Sequence, residues 1–273
     1  MPNLSRDALW GFLCGLVIAT LFVALFTPYL VWERLALGKK CTSKERVAIL
    51  IPYRDREEHL KTFLQHMHPF LKRQQVDYSI YVIEQQGEPK FCRGLLFNIG
   101  FSEVMKTETY DCFIFHDVDL IPEDDRIKYS CSSSPRHLSV AVDKFGYRMF
   151  SYSHYGHLIH VCGGVTAFST SHFKLVNGFS NLFRGWGGED DDMFLRLKAR
   201  GLDYSRQDLN IARYRSLPHE QAEKNETNYL LLKNSQTRYL QDGLNSLETV
   251  DYRVKSTTRL PLYTHITVWI DAK

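Results

Sequence analysis

Apolar and polar positions along the chain fall into two regimes. Residues 8–32 (ALWGFLCGLVIATLFVALFTPYLVW) carry no charged side chain over 25 positions, enough to cross a hydrocarbon core of about 30 Å as a tilted helix. Trp10 near one end and Tyr29 and Trp32 near the other suit the two membrane interfaces, and Pro28 comes late enough to end the helix. Beyond a short basic linker, brief apolar runs alternate with amphipathic stretches. Residues 47–52 (VAILIP), 78–83 and 112–115 (CFIF) read as buried parallel strands. Between them, Leu60, Phe63, Leu64, Met67 and Leu71 recur at helical spacing over 57–72, with Asp55 placed to cap that helix. Leu96, Ile99 and Val104 share a face over 93–106. The order β-α-β-α-β predicts a doubly wound α/β sheet, in which ligands bind at the carboxyl ends of strands. Residues 138–142 and 165–169 read as further strands, and 189–200 as a helix packed through Met193, Leu195 and Leu197. The expected organisation is a tail at 1–7, a membrane helix at 8–32, a linker at 33–40 and one domain at 41–273.

Composition narrows the class. Hydrophobic residues make up 44% and charged residues 24%, and 34 basic against 31 acidic side chains leave +3, the balance of a folded globular chain rather than a disordered one. No Lys/Arg-rich block exists, so a nucleic acid is not an expected partner. Six cysteines are too sparse for a small disulfide scaffold. Charge also bears on orientation. Arg34, Lys39, Lys40, Lys44 and Arg46 follow the apolar run, which by the positive-inside rule holds the domain in the cytoplasm. The glycosylation sequon Asn225-Glu226-Thr227, and Cys112 and Cys131 on either side of the acidic centre, point to the opposite, oxidising side. These residues alone leave the orientation open, and a cytosolic, tail-anchored metal-dependent hydrolase is one reading of the charge count.

The candidate chemistry lies in two acidic clusters. Asp117-Val118-Asp119 ends a hydrophobic strand and can hold a hard divalent cation, although Asp is common in turns for its own sake. More unusual is Gly185-Trp186-Gly187-Gly188-Glu189-Asp190-Asp191-Asp192, a glycine-rich turn that delivers four acids into a first helical turn. Each acid there stabilises the helix N-terminus by about 0.3–1 kcal/mol. Four adjacent ones repel one another, which the fold alone does not require.

With these clusters the chain resembles the β-1,4-galactosyltransferase family. The resemblance runs from about Cys41 to the C-terminus through Ile51-Pro52-Tyr53-Arg54-Asp55-Arg56, Phe115-His116-Asp117-Val118-Asp119-Leu120-Ile121-Pro122, Val142-Asp143-Lys144-Phe145-Gly146, the acidic turn, Asp242-Gly243-Leu244-Asn245-Ser246-Leu247 and Pro261-Leu262-Tyr263-Thr264. It implies a nucleotide-sugar-transferase fold of the GT-A type, a Rossmann-like mixed sheet, behind a type II signal anchor in the Golgi membrane with a lumenal catalytic domain. It also implies inverting transfer of galactose or N-acetylgalactosamine (GalNAc) from a UDP-sugar to the 4-hydroxyl of an N-acetylglucosamine (GlcNAc)-terminated glycan. Mn²⁺ would sit on Asp119 and His219. The nucleotide would meet Pro52, Tyr53, Arg54, Arg56, Phe91, Arg93, Asp117, Val118 and Lys144. Val161 and Gly164 line the donor pocket in the same correspondence, and Trp186 packs on sugar. Asp190 matches the catalytic base, Glu189 holds the acceptor, and Gly188, Asn228, Tyr229 and Leu232 complete its site. A Cys112–Cys131 disulfide is implied as well, and Asn225 is the expected glycosylation site.

Three departures from the family pattern carry expectations. Val161 stands where the family usually has Tyr, leaving room for an N-acetyl group and leaning the donor toward UDP-GalNAc. Ser216 replaces a Met thioether ligand three residues before the metal His, which predicts tolerance of Mg²⁺ beside Mn²⁺. The membrane run ends close to Cys41, whose family partner has no counterpart here except Cys14 within that run. The alternative function is a weakly catalytic or inactive relative that binds sugar or serves as a partner subunit.

Overall fold

The computed structural model describes residues 45–87, 89–149, 151–154, 157–160, 162–220 and 222–271. The run at 8–32, Cys14, Cys41 and Val161 lie outside these, and among the described residues no helix is long and apolar enough to cross a membrane. β1 (Arg46–Tyr53), α1 (Glu57–Arg73), β2 (Asp77–Gln86), α2 (Arg93–Thr107) and β3 (Cys112–His116) follow in the expected order. β1 lies between β2 and β3 and is parallel to both. Its side chains alternate between two cores: Val47, Ile49 and Ile51 cluster with Phe63, Met67 and Phe70 of α1, and Ala48 and Leu50 with Phe97 and Ile99 of α2. A pleated strand covered by helices on both faces must be apolar at every position, which is why these strands read as continuous runs. Each fully buried Val, Leu, Ile or Phe contributes about 1.5–3 kcal/mol. α2 rests directly on the sheet at Gly100, where a Cβ would stand 2.9 Å from Ile83 Cγ1.

Further strands, among them the one read at 165–169, extend the sheet at both edges. β13 (Thr264–Ile270) lies parallel to β2, and β12 (Tyr252–Arg259) closes that edge antiparallel to β13. On the other side β9 (Val165–Ser169) is antiparallel to β3 and is followed by β5 (Arg136–His137) and β10 (Ser205–Arg206), giving an eight-stranded mixed sheet. A smaller sheet joins β4 (Leu120–Pro122), β11 (Arg213–Ser216) and β6 (Ala141–Val142), and β7 (Ser151–His154) with β8 (His157–His160) forms a separate hairpin. After β9 come α3 (Thr170–Leu175), α4 (Glu189–Ala199), α5 (Glu226–Leu231) and α6 (Ser235–Arg238).

Two local expectations change. The single strand read at 138–142 is divided: Leu138 N–H donates to Val165 O and Ala141 N–H to Ala212 O, each at 2.9 Å, so the chain crosses from the large sheet to the small one in between. Asp55 does not cap α1. The N-cap is Arg56, whose side chain makes no capping hydrogen bond, and Asp55 takes a left-handed turn at φ 52°, a conformation Asp tolerates better than most residues. The Cys112–Cys131 disulfide implied by the resemblance is present, and Cys92 and Cys162 are free and buried.

Candidate active site

The site forms where β1 and β3 end and α2 and α4 begin, at the carboxyl edge of the parallel strands, as the α/β layout predicts. At the end of β3 the chain turns through Asp117, Val118 and Asp119. Asp117 N–H donates to Gly164 O at 3.2 Å, and Leu217 N–H donates to Asp119 O at 2.7 Å, which brings the segment after β11 back over the turn. His219 thereby meets Asp119, Nε2 to Oδ2, at 2.9 Å, across 100 residues of chain. His219 Nδ1 lies 2.7 Å from Glu220 O and 3.3 Å from an Arg56 Nη. Nδ1 thus faces both a carbonyl acceptor and a guanidinium donor, and Nε2 faces a carboxylate oxygen. A mixed imidazole and carboxylate pair of this kind suits a first-row divalent ion. Ser216, on β11, pairs with Leu120 immediately beyond Asp119.

The second half of the site is built around Arg93, the first residue of α2. Its guanidinium donates to Asp117 Oδ1 at 2.6 Å and to Asp190 Oδ1 at 2.7 Å, and lies 3.5 Å from Glu189 Oε1. One largely buried cation thus gathers a carboxylate from the β3 turn and two from the start of α4. Burial, then the Asp190 charge, push the Glu189 carboxyl above its ordinary range, with Arg93 opposing. Glycines make this packing possible. Gly187 and Gly188 enter α4 at φ 108° and 90°, backbone that side chains rarely adopt. A Cβ on Gly163 would stand 2.6 Å from Asp190 Oδ2.

The nucleotide candidates line the same edge. Pro52 is buried, Tyr53 ends β1, Arg54 donates to Pro89 O at 2.9 Å, and its guanidinium carbon lies 5.4 Å from the centre of the Phe91 ring. Val118 is buried, Lys144 is exposed above Phe145, and Gly164 accepts from Arg93 as well as Asp117. Arg93 itself spends its donors on carboxylates and a carbonyl, so Arg54, Arg56 and Lys144 are the more available cations. Of the sugar-contact candidates, Trp186 is 44% exposed, and Asn225 N–H donates to its carbonyl at 3.0 Å. Asn228 is buried and donates to Gly187 O at 2.8 Å and Arg184 O at 3.1 Å, so it secures the turn from beneath. Tyr229 underlies Gly187, with the Lys224 amine 4.4 Å from its ring centre, whereas Leu232 is 2% exposed in the core and supports the turn through packing. Asn225 caps α5, and its amide nitrogen donates to Arg184 O at 2.7 Å.

One group escaped the reading of the sequence. His116, fully buried, places Nδ1 2.8 Å from Asp117 O and Nε2 2.7 Å from the Tyr129 hydroxyl, which in turn meets that of Tyr214 at 3.1 Å. Burial lowers the imidazole to about 4, so it is neutral and can donate to the Asp117 carbonyl while accepting from Tyr129. Its position directly before the acidic turn was the available signal.

Comparison with known proteins agrees with this architecture. Residues 34–132 match the family model for the N-terminal region of glycosyl transferase group 7, and residues 136–220 that for the N-terminal domain of galactosyltransferase. Mouse beta-1,4-galactosyltransferase 1 is 48% identical over 233 residues, covering 84% of this chain and 56% of the relative. Chinese hamster beta-1,4-galactosyltransferase 4 is 46% identical over 233 residues, covering 84% and 65%. The chain therefore spans about half to two thirds of the length of these relatives. The catalytic domain of Drosophila beta1,4galactosyltransferase 7, solved with xylobiose, superposes with a TM-score of 0.66 at 30% identity, covering 84% of this chain and 95% of that one. GalNAc-T7, solved with UDP, GalNAc and Mn²⁺, shares the fold at a TM-score of 0.52 and 10% identity, covering 81% and 62%. By its matched regions, the extent of identity and the arrangement of acids at its strand ends, this chain belongs to the β-1,4-galactosyltransferase family.

Proposed function

We propose that the chain is a metal-assisted hexosyltransferase that moves galactose or GalNAc from a UDP-sugar to the 4-hydroxyl of a GlcNAc-type acceptor, with inversion. The observation that carries this reading is the meeting of Asp119 with His219 at 2.9 Å beside a single arginine that gathers Asp117, Glu189 and Asp190. A mutant form of the Drosophila relative, beta,14galactosyltransferase 7, was solved with manganese, UDP-Gal and xylobiose, at 29% identity and a TM-score of 0.65. Mn²⁺ bound by Asp119 and His219 would neutralise the charge that builds on the leaving diphosphate. Asp190 takes the proton from the acceptor hydroxyl as that oxygen attacks the anomeric carbon, held in place by Arg93 and by the bare face of Gly163. Glu189, kept protonated further up the pH scale by burial, offers a hydrogen to an acceptor oxygen. Arg54, Arg56 and Lys144 supply fixed positive charge toward the diphosphate.

The finer assignments belong to the same proposal. The short aliphatic Val161 favours UDP-GalNAc, and Ser216 in place of a thioether favours tolerance of Mg²⁺. The uncharged run at 8–32 supports a type II anchor in the Golgi membrane, and the Cys112–Cys131 disulfide supports a lumenal domain. The test is UDP release by the purified chain with UDP-Gal or UDP-GalNAc, Mn²⁺ or Mg²⁺, and a GlcNAc acceptor. Release that disappears in Asp190→Asn supports the reading. No release with either donor, while UDP and Mn²⁺ still bind, would identify a sugar-binding subunit instead. Galactose transfer far above GalNAc transfer would remove the donor assignment, and Val161→Tyr is expected to shift preference toward galactose. Protection of the domain from protease in sealed microsomes tests the lumenal placement.

A further inference from the structure

Asp119 and His219 come from segments 100 residues apart, and a chain of buried hydrogen bonds joins those segments beneath them. Asp119 sits in a turn closed by Leu120 N–H on Asp117 O at 3.3 Å. His116 Nδ1 lies 2.8 Å from that same carbonyl oxygen. A carbonyl only accepts, so Nδ1 carries the imidazole hydrogen and Nε2 is left as an acceptor. The Tyr129 hydroxyl, 2.7 Å from Nε2, therefore gives its one hydrogen there and takes that of Tyr214, whose hydroxyl is 3.1 Å away. The chain thus runs in one direction, from Tyr214 through Tyr129 and His116 to the carbonyl of the acidic turn. All three side chains are fully buried, where a polar group left without its partner is costly and each link depends on the next.

The two ends of this chain are the two halves of the metal pair. Tyr214 lies on β11, opposite Pro122 of β4, and the same strand continues through Ser216 to Leu217, whose N–H donates to Asp119 O, and on to His219. Tyr129, in the middle, is anchored independently of both: its N–H donates to Gln74 Oε1 at 3.1 Å, and its ring meets Phe70 edge-on at 5.2 Å. We propose that the chain of His116, Tyr129 and Tyr214 positions the metal pair, setting the turn that carries Asp119 against the strand that leads to His219, and so governs affinity for a divalent cation. These are positioning residues, acting through the backbone of the turn and of β11. The inference rests on the reading of Asp119 and His219 as metal ligands.

The test is binding of Mn²⁺ alone, with no nucleotide or acceptor, followed by the electron paramagnetic resonance of the free ion as purified protein is added. Tyr129→Phe keeps the ring and breaks both hydroxyl links; it is expected to weaken Mn²⁺ binding about tenfold, the low end of what outer-shell partners contribute. Tyr214→Phe breaks one link and should weaken it less. The double variant should bind like Tyr129→Phe, because the second hydroxyl is already disconnected. Ile80→Val, a core trim on β2, which β1 separates from β3, should lower the thermal midpoint without moving Mn²⁺ affinity. Should Tyr129→Phe fail to fold, His116→Asn, which keeps a hydrogen for the Asp117 carbonyl and loses the link to Tyr129, carries the same expectation. Unchanged Mn²⁺ affinity in a less stable Tyr129→Phe overturns the proposal, since a merely structural bond would behave that way. Losses in the two single variants that add in the double overturn it too, because the hydroxyls would then act separately. Wild-type protein that binds no Mn²⁺ defeats the ligand reading and this inference with it; wild type and variants that bind equally well defeat the inference alone.

Discussion

Gly163→Ala separates the placement of Asp190 from the stability of the fold. The added methyl would lie 2.6 Å from Asp190 Oδ2, where ordinary contact begins at 3.4 Å, so the oxygen must retreat by 3.4 − 2.6 = 0.8 Å. Gly163 has no left-handed backbone to strain, and the atom it meets is the end of a side chain, so the fold tolerates the methyl at little cost. The carboxylate cannot retreat freely, because Arg93 holds its other oxygen at 2.7 Å and is itself anchored on Asp117 at 2.6 Å. A displacement approaching 1 Å from productive geometry costs about 10²-fold in rate, or about 2.7 kcal/mol of transition-state stabilisation. The expected outcome is therefore a 10- to 100-fold loss of kcat, on the order set by that displacement, with KM for the UDP-sugar within about threefold and a thermal midpoint within about 2 °C of wild type. Steady-state UDP release and a thermal melt on the same preparation measure both. A variant retaining at least half of wild-type kcat would refute the claim that Gly163 exists to make room for Asp190.

Three further outcomes follow from the surroundings of the site. Arg196 is fully buried between Asp192 and Asp242, at 2.6 Å and 3.2 Å, and Arg196→Met strips both of that partner. Breaking a buried pair in this way costs about 3–5 kcal/mol, with the lower end expected because Arg238 still contacts both acids; a urea titration showing less than about 1 kcal/mol would count against it. Burial raises the Glu189 carboxyl from 4.5 in the folded chain, so its ionisation weakens the fold as pH climbs from 4.5 toward about 8. Glu189→Gln should accordingly gain stability over wild type across that window and show no gain below it, and a difference constant with pH would exclude the effect. Reducing the Cys112–Cys131 bond, which spans 19 residues, should lower unfolding free energy by about 3 kcal/mol on the chain-entropy account, read by comparing unfolding with and without dithiothreitol.

How much the residues disclosed depended on the range of the physics behind each feature. β1, β2 and β3 are buried on both faces, so each was visible as an apolar run within a residue or a few of its true ends, and α1 and α2 were visible through spacing. β12 is half-exposed or exposed at every position along a sheet edge, and β5 and β6 have two residues each, so their existence depends on partners far along the chain. The same distinction governs the site. Asp117, Asp119 and the acids from Glu189 to Asp192 announced themselves as local clusters. His219 gains meaning only when the β4–β11 pairing folds its segment over Asp119, a contact that residue spacing does not encode and the family resemblance supplied.

Arg93 shows what a list of cations cannot reveal. Counted from the sequence, it is one of several positive charges that a diphosphate would attract; in the structure it is the counter-charge that lets three carboxylates share a small volume. Without a buried cation, three carboxylates this close would repel one another with nothing to offset it. With it, the three stay together, and burial pushes up Asp117 to about 6 and, further, Glu189, the most deeply buried of the three, to about 8. The repulsion among adjacent acids that made the turn at residues 185–192 conspicuous is thus resolved by a residue from a distant, earlier part of the chain. It leaves neighbouring carboxylates in unlike surroundings, Asp190 bonded directly to the guanidinium and Glu189 more deeply buried and pushed up to about 8.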